Sequence, residues 1–221
     1  MFGRIKRWFK GLFKKEVVVE VKPLPTRPTQ EVSEFTPSRY IEMYQNLWDT
    51  MTVRSEKKST VQWYVNKLKE GKARYQEVAD ISGVPWEVVG CLHLLETSGS
   101  FNKVLHNGEK LSNVNRYGTR LVPRGRGRGQ GWDWEDAAID ALAIKKQPRE
   151  WNIVNTLHYA ERYNGLGYLR DIKKPNSPYL WSMSNHYTKG KYIADGRYSA
   201  FAVSKQCGVA LVLKGLGYEG S

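Results

Sequence analysis

Residues 85–101 read Pro-Trp-Glu-Val-Val-Gly-Cys-Leu-His-Leu-Leu-Glu-Thr-Ser-Gly-Ser-Phe. Pro85 suits the first turn of a helix. On that helix Val89, Leu92 and Glu96 share one face, and His93 lies one turn before Glu96. Cys91, inside the apolar run, reads as a small core residue. A carboxyl at the end of an apolar helix face loses hydration, which raises its pKa and holds its proton near neutral pH. A glycosidase asks this of its general acid. The plainer reading makes Glu96 a cap beside Thr97 and Ser98. A negative charge at a helix C-terminus opposes the macrodipole, which counts against that reading.

Working outward, helical spacing continues on the N-terminal side. Tyr40, Tyr44, Leu47, Trp48 and Met51 recur at three and four, and so do Val61, Tyr64, Val65 and Leu68. A third helix covers about 72–82 and stops at Gly83. On the C-terminal side, residues 99–131 are rich in Gly, Asn and Arg and read as loops with a β-hairpin. Helix returns at about 134–144 and 151–162, and a last helix is expected near 200–214. The fold class expected is mainly α, with a small loop and hairpin region.

Pro23, Pro25 and Pro28 mark an extended linker, so the domain boundary falls near residue 37. Residues 1–37 form a basic arm with its linker, and residues 38–221 form the domain. Within residues 1–15 stand Arg4, Lys6, Arg7, Lys10, Lys14 and Lys15 without an acid. Phe2, Ile5, Phe9 and Leu12 recur at helical spacing among them. Such a segment reads as binding an anionic membrane surface, or equally as docking on the core or on a partner.

The 221 residues carry a net charge of +13, which points to polyanionic partners and says nothing of fold. Two cysteines, Cys91 and Cys207, are too few for a disulfide scaffold, though one bridge between them stays open. No stretch approaches the ~20 apolar residues of a spanning helix, and no secretory signal is recognisable. The four histidines, His93, His106, His158 and His186, form no His-Glu-x-x-His pattern. No metal or cofactor is expected.

Glu96–Thr97–Ser98–Gly99–Ser100–Phe101 resembles the Glu-Ser-x-Phe region of lysozyme-like lytic transglycosylases and muramidases. Tyr163–Asn164–Gly165 resembles their sugar-binding Tyr-Asn element. The wider pattern is similar to phage and bacterial endolysins of the lysozyme family. It includes Val84–Pro85–Trp86, Leu105–His106–Asn107–Gly108–Glu109, Val122–Pro123–Arg124–Gly125–Arg126 and Asn176–Ser177–Pro178–Tyr179–Leu180–Trp181–Ser182. The resemblance covers about residues 40–217. It implies an α+β lysozyme-like domain that cleaves the β-1,4 bond between N-acetylmuramic acid and N-acetylglucosamine. Glu96 is then the catalytic acid. Arg162 stands where the transglycosylase motif has Ala, and the Gly-Leu-Met-Gln element is missing, so hydrolysis and transglycosylation both stay open.

In small phage lysozymes an acid and then a Thr follow the catalytic Glu, an order that Glu109 and Thr119 match. An inverting hydrolase would hold Glu109 about 6.5–9.5 Å from Glu96, whereas a transglycosylase needs Glu96 alone. Otherwise Glu109 is a solvated turn residue. His93 is expected to orient Glu96 or to pack. Ser98, His106, Thr119, Tyr163, Asn164, Tyr179, Trp181 and His186 are candidate sugar contacts, the aromatics by stacking on sugar rings. Part of that aromatic set is expected in the core. The Arg-Gly run 124–131 is either a loop that pairs with substrate carboxylates or a plain solvated one.

The expected partner is peptidoglycan, met by a monomer made in the host cytoplasm and acting at the bacterial wall or carried in a virion. No nucleic-acid motif appears, and nucleic acid is not expected. A non-catalytic wall-binding module and a basic nucleic-acid-binding protein are the competing classes.

Overall fold

The computed structural model describes residues 35–171, 173–194 and 196–220. Along the chain stand α1 (Ser38–Asp49), α2 (Lys58–Glu70), α3 (Lys72–Ser82), α4 (Trp86–Thr97) and α5 (Leu111–Tyr117). Then come α6 (Trp134–Ala143), α7 (Ile153–Asn164), α8 (Pro178–Trp181), β1 (Lys191–Ala194), β2 (Arg197–Ser199) and α9 (Val209–Leu216). The two strands pair antiparallel, Lys191 opposite Ser199, with an irregularity between Tyr192 and Ala194. The domain is therefore mainly helical, with a small two-stranded hairpin. Among the described residues no single helix is long and apolar enough to cross a membrane.

Helix α4 is the axis of the core. Its residues from Val88 to Leu94 are all buried, and α2, α3, α7 and α9 pack around it. Surrounding it on all sides is what allows a helix to be apolar all round. On α2, Val61, Val65 and Leu68 repeat at helical spacing and are buried. Gly90 explains how close α2 comes: a Cβ there would lie 2.6 Å from Leu68 Cγ. One turn further along α4, His93 joins an aromatic cluster with Tyr75, Phe101 and Trp134, which ties α3 and α6 to α4. Asp133 and Asp136 form a reciprocal capping box at the start of α6, and Asn152 caps α7.

Two expectations on local structure need correction. Residues 99–131 hold α5 and one isolated bridge, Lys103 opposite Lys110, in place of a hairpin. The hairpin lies at 191–199, in a stretch rich in Gly, Pro, Asn, Ser and aromatics. The last helix begins at Val209, not near 200. Gly208 sits against the α8 backbone, where a Cβ would lie 2.2 Å from Leu180 O, and only after that contact does the helix start. Residues 1–34 are outside the described residues, and with them the basic helix and most of the linker. Phe35 and Thr36 already belong to the domain: Thr36 is buried, and its hydroxyl donates to Asn155 Oδ1 at 2.9 Å. Cys91 and Cys207 are buried free thiols, with no bridge between them.

Candidate active site

Burial of α4 along most of its length carries Glu96 to the edge of the core. The helix closes at Ser98, in the left-handed region (φ 58°), while Thr97 Oγ1 donates to His93 O at 2.9 Å. Burial pushes the Glu96 carboxyl above the usual carboxylate range. Two groups pull the other way, the Tyr179 hydroxyl, which donates to Glu96 Oε1 at 3.0 Å, and the nearby Lys145 ammonium. Burial outweighs both, so the carboxyl holds its proton to a higher pH than an exposed Glu.

Tyr179 comes from α8 and is itself buried. Tyr163, in the last turn of α7, donates through its hydroxyl to Leu105 O at 3.0 Å. It lies close enough to Glu96 for the carboxylate to push its pKa up, after burial. Lys145, just beyond α6, places its ammonium 5.8 Å from the Tyr163 ring centroid. Three helix ends and a side chain two residues beyond a fourth thus converge on one carboxyl.

Beside this group opens a cleft of about 450 Å³, walled by Leu95, Asn164, Tyr168, Tyr179, Tyr192 and Gln206, among others. Lys191 to Ala194 of the hairpin form part of its rim. Glu96 is not on the wall; it joins the cleft through Tyr179 and its chain neighbour Leu95. Asn164 is exposed there, as a sugar-binding amide would have to be.

The other candidates fall elsewhere. The Glu109 carboxylate accepts from the backbone N–H groups of Arg120 (3.0 and 3.1 Å) and Leu121 (3.1 Å). It fastens the loop after α5 to the segment after Glu96. Thr119 is buried; its hydroxyl donates to Pro123 O and accepts from Arg126 N at 3.0 Å, both within that loop. His93 has no solvent exposure, and Tyr75 hydroxyl lies 2.9 Å from its Nδ1. Burial pushes its pKa down to about 4, with the Ser100 backbone opposing, so it is a neutral core residue out of substrate's reach. The His106 side chain is likewise enclosed, stacked near Trp132, its Nε2 2.8 Å from Asp140 Oδ2, while Arg126 holds the same carboxylate.

Trp181 is buried in the core and cannot stack on a sugar. His186 lies edge-on to Trp181, with Nε2 3.2 Å from Thr50 Oγ1, in a segment that pairs with the α1–α2 connection. Ser98 is exposed at the end of α4. Of the set, Glu96, Tyr163, Asn164 and Tyr179 are brought together. Lys145, Tyr168 and Gln206 join them without having been marked by the sequence, since each reaches the site through a turn that carries no local signal. The four histidines occupy four separate neighbourhoods, and among the described residues no set of His, Cys, Asp and Glu side chains converges for a metal.

Fold and site define a helical domain with one desolvated acid at the edge of an open cleft. No family model, curated protein or solved structure matches the chain.

Proposed function

We propose that this chain is a peptidoglycan-cleaving enzyme, a lysin of the lysozyme-like type, with Glu96 as its general acid. One observation carries the reading: the Glu96 carboxyl is desolvated, held by Tyr179, and adjoins a cleft that an amide and aromatic rings line. Protonated Glu96 gives its proton to the glycosidic oxygen as the bond to the muramic C1 breaks. The resulting carboxylate then takes a proton from the incoming nucleophile. Glu109 is committed to two backbone amides, which favours a single-acid route. In that route the nucleophile is the muramic C6 hydroxyl, and the product ends in a 1,6-anhydro ring. If water is the nucleophile, the product is a reducing end.

Glu96→Gln keeps shape and loses the proton. Turnover on purified sacculi should fall by about 100-fold or more, the scale of a general acid. Activity within about tenfold of wild type, equal to ~1.4 kcal/mol of barrier, overturns the reading. Mass spectrometry of released muropeptides distinguishes anhydro from reducing ends.

A further inference from the structure

A second concavity, about 610 Å³, opens beyond the segment that leaves Glu96. Its walls include Ser100, Asn102, Lys103, Lys110 and Ser112. Ser100 stands four residues after Glu96, so this concavity and the acid share one short stretch of chain. Val104 N donates to Glu109 O and Leu111 N donates to Asn102 O, both at 2.9 Å. Those two bonds make Lys103 and Lys110 a non-hydrogen-bonded antiparallel pair. In such a pair the side chains leave on one face and stand closest together. Like charges placed directly opposite destabilise a bridge. Neither ammonium has an acidic partner among the described residues.

The surroundings add to the positive potential. Between residues 100 and 131 stand Lys103, Lys110, Arg116, Arg120, Arg124, Arg126 and Arg128, against the single acid Glu109. Among the described residues, Arg126 alone of these has an acidic partner, Asp140. Two unpaired ammonium groups across one bridge, with serine and asparagine around them, suit a compact anion.

The geometry points to a carboxylate-binding subsite at Lys103 and Lys110 that takes the acidic peptide arm carried by the glycan next to the bond Glu96 cleaves. This rests on the glycan-cleaving reading. The subsite makes the enzyme selective for peptide-bearing strands over bare ones.

Two measurements test it on the full chain. In the first, the soluble stem tripeptide L-Ala–γ-D-Glu–diaminopimelate is titrated into wild type and the Lys103→Gln/Lys110→Gln double variant, followed by NMR. Binding should weaken at least tenfold in the double variant and persist in Lys103→Arg/Lys110→Arg. Equal binding to wild type and the Gln variant overturns the subsite. Inorganic phosphate is titrated in parallel; if it binds through the same lysines as tightly as the tripeptide, the peptide is not the ligand and the proposal fails. In the second, turnover is compared on peptide-bearing and enzymatically peptide-stripped glycan. The Gln variant should lose about tenfold on the first and nothing on the second. Equal losses on both overturn the proposal, and so does no loss on either. If wild type cleaves neither glycan while the tripeptide binds through the lysines, the cleavage reading falls and the anion site stands.

Discussion

On the proposed function, Glu96 sits between opposed influences whose balance sets the pH range of the reaction. Burial raises its pKa, and the Tyr179 hydroxyl and Lys145 lower it. The acid must be protonated to work, so activity declines as pH passes above that pKa. Tyr179→Phe removes the donor to the carboxylate and leaves burial less opposed. The alkaline limb of kcat/KM should therefore move to higher pH, with a lower plateau because the carboxyl loses its orientation. Lys145→Met should move the same limb upward with the hydrogen bond intact. A limb that moves down in either variant means Glu96 is not the titrating acid. Glu96 was legible because its apolar helix face is local in sequence. Its bond to Tyr179 spans 83 positions, and no spacing rule reports such a contact. Tyr179 and Trp181 looked alike as sugar platforms. On a one-turn helix they are ~200° apart, so one reaches the site and the other enters the core.

At the scale of elements, α1 and α2 were readable because one face of each repeats at three and four, whereas α4, apolar all round, was readable from Pro85 and its unbroken apolar run. The hairpin was not, because its strands are four and three residues long and the alternation is broken between Tyr192 and Ala194. Helix α7 carries a second buried carboxyl, Glu161, two residues before Tyr163. Tyr44 of α1 donates to its Oε2 at 2.6 Å, and His158, neutral at physiological pH, lies behind Tyr44. Burial pushes Glu161 up to about 7. Its folded pKa thus exceeds the unfolded one, near 4.5. The stability it contributes is fully present below about pH 4.5 and is lost as pH rises through about 7. Glu161→Gln should accordingly raise Tm above wild type at pH 8, by several degrees at ~2–4 °C per kcal/mol for this size. The gain should vanish by pH 4. A variant that melts lower at pH 8 would show that the charged form is the one the α1–α7 contact needs.

For the whole molecule, net charge was legible but its distribution was not. The sequence shows six cations in residues 1–15, and the fold sets Lys103 opposite Lys110 across one bridge. The N-terminal arm is proposed to hold the enzyme at an anionic envelope surface, where each basic residue adds about 1 kcal/mol at low salt. Deleting residues 1–30 should leave turnover of isolated peptidoglycan unchanged and reduce cosedimentation with anionic vesicles. Unchanged cosedimentation would move the lipid contact, if any, onto the folded domain.

The bonds from Glu109 to the backbone of Arg120 and Leu121 give that residue an outcome independent of catalysis. The loop they fasten offers Arg120, Arg124, Arg126 and Arg128, each a cleavage point for trypsin. A protease needs several residues of extended, unfastened chain, so those bonds act as a lock on a scissile segment. Glu109→Ala should open it, and trypsin should nick the chain near residues 120–128 faster than in wild type, before the helices are attacked. Mass analysis of the first fragments would show it. Any loss of lysis in a Glu109 variant then has to be divided by that nicking rate before a proton is assigned to the residue. If nicking is no faster, the loop is held by its own turns and Glu109 is free for chemistry.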